Sequence, residues 1–582
     1  MRETLSALRA AWPILRRAAA AGLLWRPACE LLPADPDVDC AYDVRIPQSD
    51  GSFVTANVFR SKAALAAGRR LPVIMSAHPY DASLLPALGR TPFGGPPQQY
   101  RTIPQARRPR FSTLTSWEAP DPNYWCAAGY AVVNMNMPGY ASSGGRPSLF
   151  SQDQARAYWE AIEWVAAQDW SNGRVGLAGV SYLAISQYLV ATCEHYGGAP
   201  PALRAISPWE GVADFYREFF CWGGVGEVGF PDFWWVTEVK PTLAGSPEDL
   251  LATEGTLPPR LLIDHPDYDE FWRKRSAALE RIDVPMLVCG SFADHGLHTE
   301  GSFRAFVEAA SERKWLYTHR DLKWDAFYGD DALATMRAFF DCFLKEDGDR
   351  TFLDRAPVRL EVRSDRDTIH AVRDETDWPL PDTNYRRLAL DARAHELCDG
   401  PVDEPATVTW RATDAVGATF GYRFAQDREW SGYAKLRLWV EVGDDAGDDL
   451  ILFVALFKLD RAGRRVPFSG AVGNKHDAVT RGQIAASWRR LDETRSTEWH
   501  PRLAHSGRQP LEPRQPVALE IALLPSATWF AAGEGLELVL APNEIVSSPP
   551  FRKDVSPNRG THRLRAGGAF DAHLLVPEIL AR

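Results

Sequence analysis

The segment RVGLAGVSYLAISQY places Ser181 where a run of small and apolar residues passes directly into a helical pattern. A serine on a tight turn from strand to helix is exposed for nucleophilic attack, and the helix N-terminus favours developing negative charge. Such turns usually carry glycine two positions after the serine, but Leu183 stands there, and Ala184 is the next small residue. The alternative is a serine that only caps a helix. The flanking strand and helix favour a nucleophile.

A serine hydroxyl is a weak nucleophile until a base removes its proton, so a histidine oriented by a carboxylate should also be present. In folds built on this turn, the order along the chain is serine, acid, histidine, each on a loop after a strand. Asp294 lies in the loop SFADHGLH after one apolar run, and His319 directly follows the next run, KWLYT. We therefore predict Asp294 as the acid and His319 as the base.

Other histidines compete for the role of base. The chain has 13 histidines, and His295 and His298 lie beside Asp294. A base taken from the acid loop itself would be an unusual arrangement for this fold, and it would leave His319 without a role at the end of a strand. We assign His295 to loop structure or pocket lining.

Hydrolysis of a carbonyl also needs donors aimed at the oxyanion of the tetrahedral intermediate. The backbone N–H of Tyr182 is one predicted donor. The other should come from a loop after an early strand, and LPVIMSAHPYDAS supplies such a loop with Tyr80 as its most interesting side chain. On the residues alone, Tyr80 is better explained by packing.

Short β-branched runs alternate with longer helical patterns from about residue 40 to 345, which predicts an α/β domain with a parallel sheet. The predicted strands are Leu71–Met75, Tyr130–Met137, Val175–Ala178, Arg204–Ile206, Pro285–Cys289 and Lys314–Thr318. A helix is predicted from Ser151.

Two further regions have a different pattern of apolar residues. Residues 208–276 are rich in aromatics and interrupt the alternation, so we predict a helical cap over the carboxyl edge of the sheet. From about residue 350 the strands have period two, as in KLRLWVEV, where Leu436, Leu438, Val440 and Val442 face one way. We predict a catalytic α/β domain over 1–207 and 277–349, the cap over 208–276, and an all-β jelly roll over 350–582.

Composition excludes several classes of function. The net charge of −11 without a basic stripe disfavours nucleic acid, and the eight cysteines show no C-x-x-C pair. No metal-ligand cluster or phosphate-binding glycine loop emerges, so we predict no metal and no cofactor. Leu5, Leu8, Trp12 and Leu15 recur at helical spacing, which favours an amphipathic helix over a signal peptide. No other stretch could span a membrane, and a cytoplasmic location is expected.

The chain resembles the X-prolyl dipeptidyl-peptidase superfamily of serine hydrolases, which includes cocaine-esterase-like, α-amino-acid ester hydrolase and glutaryl-acylase-like enzymes. The resemblance covers most of the chain. The matching segments are DVRIPQSDGSFVTANVFR, PYD at residues 79–81, GVSYLA, SFADHG, KWLYTHRDLKWDAFY, FFDCFLKE and APVRLEV.

This resemblance implies an α/β-hydrolase fold with a helical cap and a jelly-roll domain, and a triad of Ser181, Asp294 and His319. It also implies that the Tyr80 hydroxyl joins the Tyr182 amide in the oxyanion hole. Two segments depart from the family pattern. Residues 136–144 lack the acid and arginine of D-x-R-G, and the histidine segment lacks the form G-P-W-x-H. The departures suggest a divergent branch.

The leading hypothesis is hydrolysis of a small or medium carboxylic ester through an acyl-enzyme. Phe219, Trp222, Trp234 and Trp235 are candidates for an apolar acyl pocket, although each is also a candidate for the core. A second hypothesis is an aminoacyl or X-prolyl peptidase or amide acylase, which needs a carboxylate for the substrate ammonium. Glu210, Asp214 and Glu227 are available. A third is acyl transfer, cyclisation or non-catalytic binding. The oligomeric state stays open.

Overall fold

The computed structural model describes residues 28–88, 103–105 and 107–580, together with residues 12, 15, 16, 18–20 and 100. Leu5 and Leu8 of the predicted N-terminal helix lie outside the described residues. No helix among the described residues is long and apolar enough to cross a membrane.

Ten strands belong to the N-terminal part of the chain. They are β1 Glu30–Leu32, β2 Val38–Pro47, β3 Phe53–Ser61, β4 Leu71–His78, β5 Arg110–Ser112, β6 Ala131–Asn136, β7 Ser171–Val180, β8 Leu203–Trp209, β9 Met286–Ser291 and β10 Lys314–His319. All six predicted strands are therefore present.

The central sheet has the order β2-β3-β6-β4-β7-β8-β9-β10. From β6 to β10 every neighbouring pair is parallel. Parallel strands need crossover connections, and their carboxyl ends meet at one edge, where ligands bind in open α/β sheets. Ser181, Glu210 and Asp294 all follow strands at this edge.

The helices of this part pack on both faces of the sheet or lie beyond its edge. They are Lys62–Ala66, Pro122–Ala127, Gln152–Ala166, Tyr182–Ala191, Phe230–Trp234, Pro247–Glu254, Leu261–Asp264, Glu270–Arg273, Thr299–Glu308, Lys323–Phe327 and Asp330–Leu344. The helix predicted from Ser151 begins at Gln152, because the Ser151 side chain accepts a hydrogen bond from the amide of Gln154.

Between β8 and β9 the described chain forms only short helical segments. Two of them, Tyr216–Phe220 and Trp235–Val239, have π-helical hydrogen bonding. Aromatic side chains of this region pack on one another, as in the pairs Phe215–Phe220 and Phe219–Phe230. Aromatic burial of this kind stabilises a segment that has little regular structure of its own.

The C-terminal part is all-β. Its strands are β11 Val358–Arg363, β12 Ile369–Glu375, β13 Thr383–Asp391, β14 Glu396–Cys398, β15 Ala406–Arg411, β16 Ala418–Arg423, β17 Arg428–Gly432, β18 Lys435–Val442, β19 Ile451–Leu459, β20 Phe468–Gly470, β21 Asn474–Asp477, β22 Thr480–Ala485, β23 Val517–Ala522, β24 Ser526–Phe530, β25 Gly535–Ala541, β26 Thr561–Ala566 and β27 His573–Ile579.

Two antiparallel runs, β15-β26-β18-β23 and β16-β25-β19-β22, form much of this domain. Their inward side chains share one core. The four residues of β18 predicted to face one way are all fully buried: Leu436, Leu438, Val440 and Val442. Leu536, Leu538 and Leu540 of β25 meet them there. The period-two pattern is therefore confirmed by burial.

The two parts are joined through a shared sheet. Strand β11 pairs in parallel with β10, with Leu316 opposite Val358, and β12 pairs antiparallel with β11. The all-β domain thus continues the central sheet beyond β10. This continuity places C-terminal loops beside the carboxyl edge that carries Ser181.

Candidate active site

Ser181 occupies a strained turn between β7 and the helix Tyr182–Ala191. Its φ of 61° and ψ of −116° are rare for a residue with a side chain. The Ser181 amide donates to the carbonyl of Trp209 at 3.0 Å, and the Val180 amide donates to the carbonyl of Glu118 at 3.2 Å. These hydrogen bonds to neighbouring segments stabilise the strained backbone conformation and keep the Ser181 hydroxyl at the edge of the sheet.

Leu183 fits this turn because the small residue is supplied elsewhere. Gly179 has φ of 144°, and a Cβ placed on it would lie 2.5 Å from the Cβ of Leu183. Leu183 is fully buried. Close contact between strand and helix is therefore made possible by glycine before the serine, so the motif tolerates leucine after it.

His298 is the histidine beside the nucleophile. Its Nε2 lies 3.1 Å from Ser181 Oγ, and its Nδ1 forms a short hydrogen bond with Oδ2 of Asp294. All three residues are buried or nearly so. Serine, imidazole and carboxylate thus form one hydrogen-bonded line, the arrangement required for general-base activation of a serine.

The structure contradicts the prediction that His319 is the partner of Ser181. His319 Nε2 lies 3.0 Å from Oε1 of Glu210, and among the described residues it has no hydrogen bond to Ser181 or Asp294. His319 is the last residue of β10, which is three strands from β7 in the sheet. Neighbouring strands are spaced about 4.8 Å apart, so a residue at that strand end starts about 14 Å away.

His298 reaches Ser181 because it is not at a strand end. It lies four residues after Asp294 in the turn that leads into the helix Thr299–Glu308. Residues separated by one helical turn lie on the same side, so acid and base approach the nucleophile together. The amide of His298 donates to the carbonyl of Asp294, which closes that turn.

The positive charge of Lys323 favours the ionised form of Asp294. Lys323 Nζ lies 3.9 Å from Oδ2 of Asp294 and 4.0 Å from Oε1 of Glu118. Burial would raise the pKa of Asp294, but Lys323 and His298 hold it well below its usual range. Burial and the charge of Lys323 lower the pKa of His298 to about 4. Imidazole is therefore neutral at pH 7 and able to accept a proton.

Tyr80, the predicted side-chain donor to the oxyanion, lines the same cavities as Ser181. Trp234 Nε1 donates to Tyr80 Oη at 3.1 Å, which leaves the hydroxyl hydrogen to point elsewhere. The amide of Tyr80 donates to Nδ1 of His78, and burial lowers the pKa of His78 to about 3, so this ring accepts. Asn136 accepts from the Ala82 amide at 2.6 Å and anchors the same loop.

Tyr182 is the first residue of the helix after Ser181. The first amides of a helix have no partner within it, so the Tyr182 N–H is available beside the nucleophile. Its phenol is occupied in the core, where it donates to Gln154 Oε1 at 2.7 Å.

Two cavities meet at Ser181. The smaller, of about 380 Å³, is lined mainly by apolar side chains. Its wall includes Tyr80, Phe150, Tyr182, Phe215, Phe219, Phe220, Phe230 and Trp234. A site of this kind accommodates an apolar group and offers few polar contacts to it.

The larger cavity, of about 880 Å³, is lined by acidic residues as well as aromatics. Glu118, Glu210 and Glu238 reach it from three segments, and Lys323 is its cation. Burial raises the pKa of Glu118 to about 8. Ala471, Val472, Gly473, Pro550 and Phe551 of the all-β domain complete its wall.

The remaining predicted pocket residues divide into two groups. Phe219 and Trp234 line the smaller cavity at Ser181. Neither cavity at Ser181 is lined by Trp222, Trp235 or His295. A separate cleft against the all-β domain is bordered by Trp222 and His295. Trp235 is buried in the core. Their predicted role in substrate binding is contradicted by this placement.

The three carboxylates considered for ammonium binding also separate. Glu210 lines the larger cavity. Asp214 pairs with Arg217 at 2.8 Å, and Glu227 pairs with Lys553 at 3.0 Å. Neither Asp214 nor Glu227 lines a cavity at Ser181. Only Glu210 stays a candidate.

One cluster among the described residues has the composition of a metal site: Glu210, Asp294 and His298, whose ligating atoms lie within 4.8 Å of one another. Both nitrogens of His298 already contact Ser181 and Asp294. We therefore assign these atoms to a hydrogen-bonded system and derive no metal chemistry from them.

Sequence reasoning missed Glu118, Glu238 and Lys323. Glu118 and Glu238 lie in no recognisable motif, and Glu118 is marked only by its positive φ of 58° in the structure. Lys323 lies within the family-like segment KWLYTHRDLKWDAFY, but that segment does not mark the lysine as a site residue. His298 was considered and rejected because of its place in the acid loop. The spacing of four residues between Asp294 and His298 is the signal that could have identified it.

Comparisons with known proteins agree with this architecture. A family model described as X-Pro dipeptidyl-peptidase (S15 family) matches residues 50–321. One described as X-Pro dipeptidyl-peptidase C-terminal non-catalytic domain matches residues 352–574. A CocE/NonD family hydrolase from Staphylococcus aureus is 31% identical, with a TM-score of 0.85 over 96% of this chain and 100% of that one. The chain belongs to the X-Pro dipeptidyl-peptidase and CocE/NonD family of serine hydrolases.

One sequence relative and one further solved structure are informative. Cocaine esterase from Rhodococcus sp. (strain MB1 Bresler) is 27% identical over 61% of this chain, and the match spans 63% of that enzyme's length. An α-amino acid ester hydrolase is 17% identical, with a TM-score of 0.67 over 94% of this chain and 98% of that one. The latter likeness concerns the fold alone. Together with the observed sheets, these findings confirm the predicted α/β-hydrolase fold followed by an all-β domain.

Proposed function

We propose that this protein hydrolyses a carboxylic ester through an acyl-enzyme on Ser181, with His298 as the base and Asp294 as the acid. The contact of 3.1 Å between Ser181 Oγ and His298 Nε2, in line with Asp294, carries the proposal. His298 takes the proton of the serine hydroxyl as Oγ attacks the carbonyl carbon. Asp294 stabilises the imidazolium that forms.

The oxyanion of the tetrahedral intermediate is bound by the Tyr182 amide and the Tyr80 hydroxyl. Each such donor lowers the barrier by about 3 kcal/mol in comparable sites. His298 then returns the proton from Nε2 to the leaving alcohol, and the C–O bond to that alcohol breaks. A water molecule repeats the sequence on the acyl-enzyme and releases the acid.

The two cavities suggest how an ester is oriented. The aromatic cavity of about 380 Å³ suits an apolar acyl group. The larger cavity of about 880 Å³ leaves room for the alcohol and for the attacking water. We infer a substrate with an apolar, aromatic-sized acyl group and a polar alcohol.

A peptidase or aminoacyl hydrolase is the second candidate, because Glu118, Glu210 and Glu238 line the larger cavity. A substrate ammonium would need ionised carboxylates there. Burial raises the pKa of Glu118 to about 8, and burial together with Asp294 raises the pKa of Glu210 well above its usual range. Both raised pKa values favour the neutral carboxyl group, and Lys323 adds a positive charge beside Glu118. These charges favour the ester over the ammonium-bearing substrate.

A cytoplasmic location is part of this proposal. All eight cysteines are free thiols, and six of them are buried. Unpaired thiols are typical of proteins that function in a reducing compartment.

Labelling with a fluorophosphonate tests the nucleophile. We expect the folded protein to label stoichiometrically and Ser181→Ala not to label. Absence of labelling in the folded wild type would show that the proposal is wrong.

A panel of aryl esters, aminoacyl anilides and prolyl-peptide anilides then separates the two candidates. We expect aryl esters with benzoyl-sized acyl groups to have the highest kcat/KM, and faster cleavage of the amine-bearing anilides would replace the ester by the second candidate.

A further inference from the structure

Glu210 and His319 form a buried pair that the proposed reaction does not use. Glu210 follows the last residue of β8, and His319 is the last residue of β10. Glu210 Oε1 and His319 Nε2 are 3.0 Å apart, and both side chains are almost fully enclosed. An acid and an imidazole buried together at the catalytic edge, away from the nucleophile, require an explanation.

Glu210 also lies against the acid of the triad. One carboxylate oxygen from Glu210 and one from Asp294 are within 4.8 Å of each other, with a nitrogen of His298 in the same group. Two buried carboxylates this close do not both ionise, because their like charges repel and burial disfavours each of them. One of the two carboxyl groups is therefore expected to carry a proton.

The surroundings decide which residue keeps that proton. Asp294 contacts the cation of Lys323 and the imidazole of His298, and both favour its ionised form. Glu210 contacts His319, and burial lowers the pKa of His319, so this ring is neutral. The proton consequently stays on Glu210, in agreement with the raised pKa that burial and Asp294 give to it.

The backbone at Glu210 is held in place for this contact. Glu210 has φ of 52°, a conformation that side-chain-bearing residues rarely adopt. Its amide donates to the carbonyl of Cys289 on β9 at 3.2 Å. Ser181 and Glu118 are strained in the same sense and lie in the same cavity wall. Strain of this kind is retained where function requires a side chain in one direction.

We propose that Glu210 and His319 are positioning residues for the triad carboxylate: Glu210, oriented by His319, keeps its carboxyl proton directed at Asp294 and holds that carboxylate toward His298. This inference rests on the proposed function, because it assigns Asp294 to the triad. In the proposed arrangement, His319 Nε2–H donates a hydrogen bond to Glu210 Oε1. The carboxyl O–H of Glu210 is directed at the carboxylate of Asp294. No proton leaves the pair during turnover.

The charged and titratable groups facing Glu210 come from every neighbouring segment. Asp294 and His298 face it from the loop after β9, and Cys289 from β9 itself. His319 and Lys323 face it from the end of β10 and the helix after it. Glu118 faces it across the larger cavity.

Three variants test the inference: Glu210→Gln, Glu210→Leu and His319→Ala. The glutamine is neutral and keeps a donor for Asp294 and an acceptor for His319, so we expect kcat within about threefold of wild type and an unshifted acid limb of kcat/KM. We expect Glu210→Leu to lower kcat about 30-fold and His319→Ala about tenfold, each with KM within twofold. Glu218→Gln, a buried glutamate that is paired with Arg304 and lines neither cavity at Ser181, is the matched control.

Several outcomes would overturn the inference. If Glu210 is ionised, Glu210→Gln removes a negative charge and moves the acid limb to lower pH. If Glu210 binds substrate, its variants raise KM for amine-bearing substrates and leave kcat unchanged. Should the leucine variant fail to fold by circular dichroism, the profile of Glu210→Gln still decides between the neutral and ionised forms. Fluorophosphonate labelling of the wild type separates failure of this inference from failure of the proposed function.

Discussion

Ser181, the proposed nucleophile, and the loop that carries the proposed acid and base are held by different parts of the molecule. The turn at Ser181 is held within the α/β domain, where the carbonyls of Trp209 and Glu118 accept hydrogen bonds from the amides of Ser181 and Val180. The loop of residues 292–298, which carries both Asp294 and His298, is held from the all-β domain. Arg363 Nη1 donates to the carbonyl of Phe292 at 3.0 Å, and Arg481 Nη2 donates to that of His295 at 3.1 Å.

The side chain of His295 contributes to the same attachment. Its Nδ1 lies 3.5 Å from Oδ2 of Asp477, which also pairs with Arg481 at 3.1 Å. Contacts within the α/β domain are therefore enough to hold the strained backbone at Ser181. The alignment of Asp294 and His298 with that serine depends on contacts between the two domains. A domain described by its family model as non-catalytic thus borders and supports the site.

Loss of the base should have the largest effect. We expect His298→Ala to lower kcat/KM by about 10³- to 10⁴-fold, because the serine then has no proton acceptor. Groups that act as one unit are not additive, so the double variant with Ser181→Ala should be no slower than Ser181→Ala alone. Steady-state kinetics on an aryl ester measure this. The exposed His195→Ala is the control, and a larger loss in His319→Ala than in His298→Ala would contradict the assignment.

Loosening the attachment of the loop should have an intermediate effect. We expect Arg481→Met to lower kcat about tenfold with KM nearly unchanged, because acid and base shift together while the cavities keep their shape. The rate of fluorophosphonate labelling should fall by a similar factor. Arg423→Met, an exposed arginine of the same domain that donates to the Gly533 carbonyl, is the matched control. A rise in KM without loss of kcat would place Arg481 in substrate binding.

Removing the buried cation should have the smallest effect. Burial and Lys323 lower the pKa of His298 to about 4, so kcat/KM should fall on the acid side near that pH. A positive charge disfavours imidazolium, and its removal in Lys323→Met should therefore move the acid limb upward by about one pH unit. A profile of kcat/KM from pH 3 to 8, with Lys62→Met as the surface control, measures the shift. A limb that moves downward would contradict this electrostatic role.

Much of the architecture could be predicted from local pattern. Alternating β-branched runs and helical segments identified six strands of the central sheet, and the period of two in KLRLWVEV identified the buried face of β18. These predictions depend only on how side chains repeat along a helix or strand. Ser181 was predictable for the same reason, since a strand, a tight turn and a helix are contiguous in the chain.

The partners of Ser181 are contributed by distant segments, and there the pattern was insufficient. Asp294 follows its strand directly, so strand order located it. The choice between His298 and His319 depended on distance across the sheet and on a single turn after Asp294, which no periodicity reports. Glu118 and Lys323 reach the site only through folding: Glu118 lies in no motif, and the family-like segment that contains Lys323 does not mark the lysine as a site residue. The chain sequence by itself indicated the fold and the proposed nucleophile. The tertiary structure decided which histidine is the proposed base, because only packing sets which imidazole lies 3.1 Å from the serine oxygen.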